Sequence, residues 1–289
     1  MDSYTTGTLA GAGSFRCREC GFHVALRVLE LVGRTDVPVA AGAERPLVRE
    51  LVVAAHVHGE TGLEGAELPH PDVPLATEHA VDLIARLLRE AAHPITLVPT
   101  GPLTNLALLL RTYPELGERV REIVLMGGSA GVGNVEPLAE FNIHVDPEAA
   151  DVVFSSGLPV TMCGLNVTHQ ALATEEVLER LRALGTPLAD TVVLLLGFFR
   201  DRYRDLWGLP APPVHDPVAV ARVIDPELVR CEEAHVAVEL HGTHTRGATV
   251  CDRFGVRGRI PNALVAMELD AAGFWELIVA AVDQLGSAE

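Results

Sequence analysis

The 289-residue chain carries a formal net charge of −17, and all 22 of its basic residues are arginine. Nucleic acid and anionic membranes both require a basic surface, so the charge argues against both as partners. The absence of lysine excludes a Schiff-base lysine and the lysine of a Walker A loop, and no run approaches the roughly 20 apolar residues that span a bilayer.

The five cysteines are an odd number without a disulfide framework, as in a reducing compartment. Cys17 and Cys20 form a CxxC with His23 nearby, but a structural zinc site needs four ligands and no second pair follows. The N-terminus has no basic region followed by an apolar one, so no secretory signal is indicated. The sequence therefore predicts a cytoplasmic protein.

Apolar runs and helical patterns alternate along the chain. Helices are predicted at 24–33, 175–185, 187–208 and 274–286. Three more helices are predicted to begin after a cap at Thr77, after residues 101–105 and after Asp146-Pro147. Strands are predicted at 37–42, 95–100, 122–126, 159–163, 235–240, 247–254 and 262–269. This alternation predicts an α/β fold with a mostly parallel central sheet flanked by helices. We expect strands 95–100, 122–126 and 159–163 to be adjacent and buried.

The segment VLMGGSAGVGNVEPLAEFNIHVDP, residues 124–147, runs from a buried strand into a glycine-rich loop. The loop presents Asn134, Glu140 and Asn142 in a chain with few asparagines. Asparagine donates and accepts hydrogen bonds and an ionised glutamate accepts them, which suits a polyol such as ribose. The same residues also suit a turn in which they satisfy local backbone groups, and residue type alone leaves this alternative open.

This segment combines with PTGPLTNLAL (99–108), GLNVTHQAL (164–172) and HDP (215–217), in an order that resembles the inosine-uridine preferring nucleoside hydrolases. HVHGETG (56–62) and TRGATV (245–250) also fit, and the resemblance runs from about residue 25 to the C-terminus. It implies hydrolysis of the N-glycosidic bond of ribonucleosides to ribose and free base. It also implies a Ca²⁺ cofactor and a homodimer or homotetramer.

The resemblance assigns roles to individual residues. Sugar-binding residues would be Asn134, Glu140 and Asn142, with Met126 packed beneath the sugar and Asn166 nearby. His215 would be the general acid, and Asp216 and the carbonyl of Thr100 would bind calcium. Phe199 and Tyr203 would stack on the leaving base.

Each of these assignments has a simpler alternative. Asp216 before Pro217 also fits an ordinary helix start, as does Asp146 before Pro147. His215 also fits a core histidine, and aromatic residues at helical spacing are often core. Calcium takes six to eight oxygens, so Asp216 and the Thr100 carbonyl do not complete a site.

Residues 1–24 contain nothing like the aspartate-rich DxDxGxDD turn that opens the family pattern. We therefore divide the chain into an atypical N-terminal segment, 1–24, and a single nucleoside hydrolase-like domain, 25–289, that lacks the family's first strand. A frame or start error and genuine divergence both explain this junction. Two functions stay open: ribonucleoside hydrolysis, or a catalytically degenerate homologue that binds ribosides or has no function.

GGSAG at 127–131 also fits the GxSxG elbow of serine hydrolases, which must lead from a strand into a helix. Here the chain continues GVGNVEP, and two glycines and a proline do not form a helix. We therefore disfavour a serine hydrolase.

Overall fold

The computed structural model describes residues 24–52, 65–66, 68, 71–208 and 210–287. The predictions for Cys17, Cys20 and His23, for the segment 1–23 and for the loop 56–62 lie outside the described residues.

Helices and strands alternate over the described chain. The α-helices are α1 Val24–Leu31, α2 Ala80–Glu90, α3 Thr104–Thr112, α4 Phe141–Val145, α5 Pro147–Phe154, α6 Leu165–Thr168, α7 Glu175–Arg182, α8 Pro187–Trp207, α9 Asp216–Ile224 and α10 Ala271–Gly286. The strands are β1 Ile95–Leu97, β2 Val120–Met126, β3 Val160–Cys163, β4 Val229–Val238, β5 Thr249–Asp252 and β6 Ala263–Leu269.

The six strands form one sheet in the order β1-β2-β3-β6-β4-β5. β1, β2, β3 and β6 run parallel, whereas β4 lies antiparallel to β6 and β5 lies antiparallel to β4. The predicted α/β fold with a mostly parallel, helix-flanked sheet is confirmed, and so is the adjacency of the three predicted strands. The predicted burial of the first strand was wrong in part, because β1 lies at the edge of the sheet and only Leu97 of its three residues is buried. Their carboxyl ends meet at one edge, where ligands bind in sheets of this kind.

Strand β2 separates two hydrophobic cores because alternate residues point to opposite faces. Ile123 and Leu125 join a core formed with α2, α3 and α5. Val124 and Met126 join the other core, formed with α6 to α10. Burial on both faces explains the uninterrupted apolar sequence of this strand.

Two local predictions were wrong. The N-cap of α2 is His79, whose Nδ1 accepts a hydrogen bond from Val81 N at 3.2 Å, and not Thr77. The predicted strand 37–42 contributes a single parallel bridge between Ala40 and Ala76. The carboxyl of Asp146 does cap α5, since it accepts a hydrogen bond from Ala149 N at 3.1 Å.

Ion pairs between guanidinium and carboxylate groups link separate elements on the surface. They include Arg86–Glu78, Arg49–Glu148, Arg230–Glu268 and Arg253–Glu232. Among the described helices, none is long and apolar enough to cross a membrane.

We expect Ile123→Ala to lower the free energy of unfolding by about 2–5 kcal/mol, because Ile123 is fully buried and the change leaves a cavity. The matched control is Ile260→Ala, at a side chain that is 85% exposed, where the loss should stay within about 0.5 kcal/mol. Urea unfolding of both variants makes the comparison. Equal losses would contradict the assignment of β2 to the centre of the core.

Candidate functional site

The loop after β2 approaches the loop after β3 so closely that glycine is required. Gly128 has φ +72°, and a Cβ there would lie 2.8 Å from Met162 Sδ. Its carbonyl accepts a hydrogen bond from Leu165 N at 2.9 Å. A Cβ on Gly164 would in turn lie 2.7 Å from the Gly128 oxygen. The two strand ends are therefore joined directly through their main chains.

Glu140 is the N-cap of α4 and is almost completely buried. Its Oε2 accepts hydrogen bonds from Gly128 N at 2.9 Å and from Ile143 N at 3.2 Å. Burial raises the pKa of this carboxyl to about 7, and the charge of Asp216 also raises it, while the backbone donors act in the opposite direction. Glu140 thus fixes the glycine loop and is near half protonation at neutral pH.

Asn142 connects the ends of β1 and β2. Its Nδ2 donates to Met126 O at 3.1 Å and lies 3.4 Å from Thr100 O. The predicted sugar-binding residue, the predicted residue beneath the sugar and the predicted metal-binding carbonyl are thereby brought together. Among the described residues, no hydrogen bond uses Asn142 Oδ1.

The side chains of Asn134 and Asn166 both form hydrogen bonds with main-chain groups. Asn134 Oδ1 accepts a hydrogen bond from Phe141 N at 3.0 Å. Asn166 Oδ1 accepts from Ala130 N at 3.1 Å, and its Nδ2 donates to Ala266 O at 2.7 Å. Their predicted contact with substrate stays a prediction.

His215 lies between two hydroxyl groups. Its Nδ1 is 2.7 Å from Thr168 Oγ1 and its Nε2 is 2.8 Å from the Tyr203 hydroxyl. The ring of His169 packs against it with centroids 5.7 Å apart. Tyr203 is buried, whereas Phe199, one turn earlier on α8, is half-buried and meets Phe198 edge to face. His215 is thus oriented through both ring nitrogens.

Asp216 is the first residue of α9, and the N-cap is His215, whose side chain makes no capping hydrogen bond. The helix-start alternative therefore agrees with the position of Asp216, and its role as a metal ligand stays a prediction. The residue as a whole is exposed, but protein around its carboxyl group raises the pKa of that group above the ordinary value. Burial raises the pKa of Tyr203, and the charges of Asp216 and Glu140 raise it further.

A calcium ion would find few ligands among the described residues. Asp216 makes no hydrogen bond there, which is consistent with a carboxylate available to a cation, and Thr100 adds one carbonyl. No group of three or more His, Cys, Asp or Glu side chains in the described part of the chain is placed to hold a metal. Two oxygens do not satisfy calcium, so the described residues do not fit the ion by themselves.

The sequence analysis missed contacts that two buried residues of the site region make. Thr168 lies within the quoted GLNVTHQ motif, but nothing in its spacing indicates contact with His215. Asp146 was expected only to cap α5, yet its Oδ2 also accepts from Thr104 Oγ1 at 2.6 Å and from Leu47 N at 2.9 Å. It therefore ties the chain before residue 50 to α3 and α5.

Ser129 is not placed as a nucleophile. It is buried, its Oγ accepts a hydrogen bond from Gly131 N at 3.0 Å, and its main chain pairs with Thr249. No helix follows it until Phe141. The serine hydrolase alternative has no structural support.

Comparison with known proteins identifies one family. The family model described as inosine-uridine preferring nucleoside hydrolase matches residues 12–276. Pyrimidine-specific ribonucleoside hydrolase RihA of Shewanella woodyi is 52% identical over 260 residues, which cover 90% of this chain and 83% of that protein. The RihA of Photobacterium profundum is 51% identical over 257 residues, covering 89% and 83%.

Solved structures agree with the sequence relatives. The purine-preferring ribonucleoside hydrolase from Gardnerella vaginalis superposes with a TM-score of 0.85 and 33% identity, covering 93% of this chain and 86% of its own. The plant nucleoside hydrolase PpNRh1 gives a TM-score of 0.82 and 30% identity, covering 91% and 85%.

We expect Glu140→Gln to remove a pH dependence of stability. The pKa of Glu140 is raised from 4.5 to about 7 in the folded chain. The folded state therefore holds a proton that the unfolded state loses, and stability falls as the pH rises from about 4.5 to 7, by up to roughly 3 kcal/mol. Urea unfolding between pH 4.5 and 8 should show a shallower decline for the variant.

The control is Glu176→Gln, at an exposed glutamate of α7, which should keep the wild-type slope. If the wild type and Glu140→Gln show the same slope, Glu140 is ionised throughout this range.

Proposed function

Because this chain belongs to the inosine-uridine preferring nucleoside hydrolase family, we propose that it hydrolyses the N-glycosidic bond of ribonucleosides. The observation that carries the proposal is the placement of His215. Its two nitrogens lie within hydrogen-bond distance of two hydroxyls, and in our proposal it shares a cleft with the Glu140 and Asp216 carboxyls, whose charges act on its partner Tyr203. Such a cleft combines a proton donor with groups that accept hydrogen bonds from a sugar.

Departure of the base needs a proton, since the electrons of the breaking C–N bond go to the base nitrogen. In our proposal, protonated His215 transfers its Nε2 proton to the Tyr203 oxygen while Tyr203 gives its own proton to the base. The 2.8 Å separation of Nε2 and the hydroxyl is suited to this transfer. Water adds its hydroxyl to the oxocarbenium-like sugar carbon, and its remaining proton restores the imidazolium.

The sugar would lie over Met126 against α4. Asn142 Oδ1 would accept a hydrogen bond from a ribose hydroxyl, because its Nδ2 is held by the main chain at Met126. Glu140 would contribute from the same helix start, and Asn134, Asn166 and Phe199 remain proposed contacts of sugar and base. We propose pyrimidine ribonucleosides as the preferred substrates, since relatives about half identical to this chain carry that specificity in their names.

We propose Asp216 and the Thr100 carbonyl as two ligands of a calcium site. Because they leave most of the coordination shell unfilled among the described residues, we derive no step through the ion. The same shortfall favours the second candidate function, a degenerate homologue that binds ribosides without turnover. The single domain over 25–289, the homodimer or homotetramer and the cytoplasmic location also remain proposals.

We expect calcium to stabilise the chain weakly. A cation held by few charged ligands has a low affinity, and at a concentration near its Kd it adds only about 0.4 kcal/mol. Urea unfolding with EDTA or with 1 mM CaCl₂ measures the gain, and Asp216→Asn should abolish it. A gain near 2.7 kcal/mol, which corresponds to 100 times Kd, would show a complete site and would favour the active enzyme.

We expect the wild-type chain to release reducing sugar from uridine slowly. His215→Gln should lower kcat by a further 10²–10⁴-fold, because the leaving base is no longer protonated. The matched control is His235→Gln, at a histidine of β4 that contacts Ile260 O and Arg259. If the wild type binds uridine but releases no sugar, the degenerate function is correct. If His215→Gln keeps full activity, the proposed acid is wrong.

A further inference from the structure

Thr168 makes a buried contact with His215 that the proposed function does not yet use. It is the last residue of α6 and is completely buried. Its Oγ1 lies 2.7 Å from His215 Nδ1, across 47 positions of sequence. In the described part of the chain, this nitrogen is the single hydrogen-bond partner of the Thr168 hydroxyl.

The direction of this hydrogen bond follows from the proposed reaction. When His215 is charged, both ring nitrogens carry hydrogen, and Nδ1–H donates to Thr168 Oγ1. Transfer of the Nε2 proton to Tyr203 leaves the hydrogen on Nδ1, because the partner of one imidazole nitrogen sets the state of the other. The same hydrogen bond therefore serves the ring before and after the transfer.

The main chain on either side does not depend on this contact. Ala173 N donates to Pro212 O at 2.9 Å and Val214 N donates to Ala171 O at 3.0 Å. These two bonds hold the segment before His215 beside the segment after α6. The position of the His215 backbone is therefore fixed independently, and the Thr168 hydroxyl fixes what remains, the rotation and tautomer of the ring.

The hydroxyl of a threonine in a helix commonly donates a hydrogen bond to the main-chain carbonyl four residues earlier. Thr168 makes no such bond to Gly164 O, and its hydroxyl is directed to the imidazole instead. A valine would fill the same volume without the hydrogen bond, whereas a serine would keep the hydroxyl. The two substitutions therefore separate packing from hydrogen bonding.

We propose that Thr168 is a positioning residue for protonation of the leaving base. Its hydroxyl accepts from Nδ1–H and keeps the His215 ring rotated so that the Nε2 proton of the charged ring faces Tyr203. This inference rests on the proposed function, since it concerns the proton donor of that reaction.

The first experiment does not depend on turnover. Nitrogen-15 NMR of the histidine side chains, at one pH where His215 is neutral, reports which ring nitrogen carries the proton. The His215 signals are assigned by their loss in His215→Gln. Wild type and Thr168→Ser should show the Nδ1–H tautomer, and Thr168→Val should lose this preference. Identical spectra for wild type and Thr168→Val would overturn the proposal.

The second experiment compares two leaving groups. Uridine needs a proton on its departing base, whereas a 4-nitrophenyl riboside releases a phenolate that is stable without one. Thr168→Val should lower kcat for uridine by about 10–100-fold, part of the full acid contribution, and change kcat for the phenyl riboside by less than about threefold. Thr168→Ser should recover most of the uridine activity.

Thr161→Val on β3 applies the same change at another buried threonine and should affect neither substrate selectively. Equal losses on both substrates in Thr168→Val would mean a purely structural role and would overturn the proposal. If the wild type hydrolyses neither substrate, the proposed function fails, and the NMR comparison still decides whether Thr168 holds the ring.

Discussion

Two buried polar side chains at the start of one short helix determine the geometry of the cleft. Glu140 accepts a hydrogen bond from the main chain of the glycine loop, and Asn142 donates one to the end of β2 and lies close to the end of β1. A buried polar group that loses its partner costs about 1–3 kcal/mol, so these bonds are strongly maintained. Helix α4 therefore cannot shift without breaking hydrogen bonds to the sheet edge. These bonds hold the site residues of α4 in a fixed position relative to the sheet.

The neighbouring helix α5 is also held by one buried polar side chain. Asp146 is fully buried and receives three donors, from Ala149, Thr104 and Leu47. One carboxylate thus caps α5, contacts the start of α3 and anchors the chain before residue 50. The polar side chains between 140 and 146 link the strand ends to the helices that cover one face of the sheet.

The sequence was most informative where one physical effect dominates. Continuous apolar runs identified β2 and β3 because both are buried on two faces, whereas the roles that the family resemblance assigns to His215 and Asp216 stay predictions. Burial could not be inferred for Glu140, so its near-neutral pKa was unexpected. The cap of α2 was misplaced because Thr77 is the stronger capping type, whereas the structure uses the imidazole of His79.

Contacts across long sequence separations account for most of what the sequence did not show. Asn166 has the residue type of a ligand-binding side chain, yet its amide connects the backbones of residues 130 and 266. Thr168 meets His215 only because the chains after β3 and before α9 pair through their main chains. Neither relation leaves a periodic or local signal in the sequence.

The exclusive use of arginine affects how this protein responds to alkali. Guanidinium groups stay charged beyond pH 12, so the surface pairs of Arg86 and Arg230 persist where lysine pairs would be lost. The groups that do respond are buried thiols and a buried phenol: burial raises the pKa of Cys163 to about 12 and of Cys251 to about 11, and it also raises the pKa of Tyr203. The unfolded chain releases these protons from about pH 9, whereas the folded chain retains them. We therefore expect alkali to destabilise the fold through ionisation of these buried groups, and not through loss of positive charge.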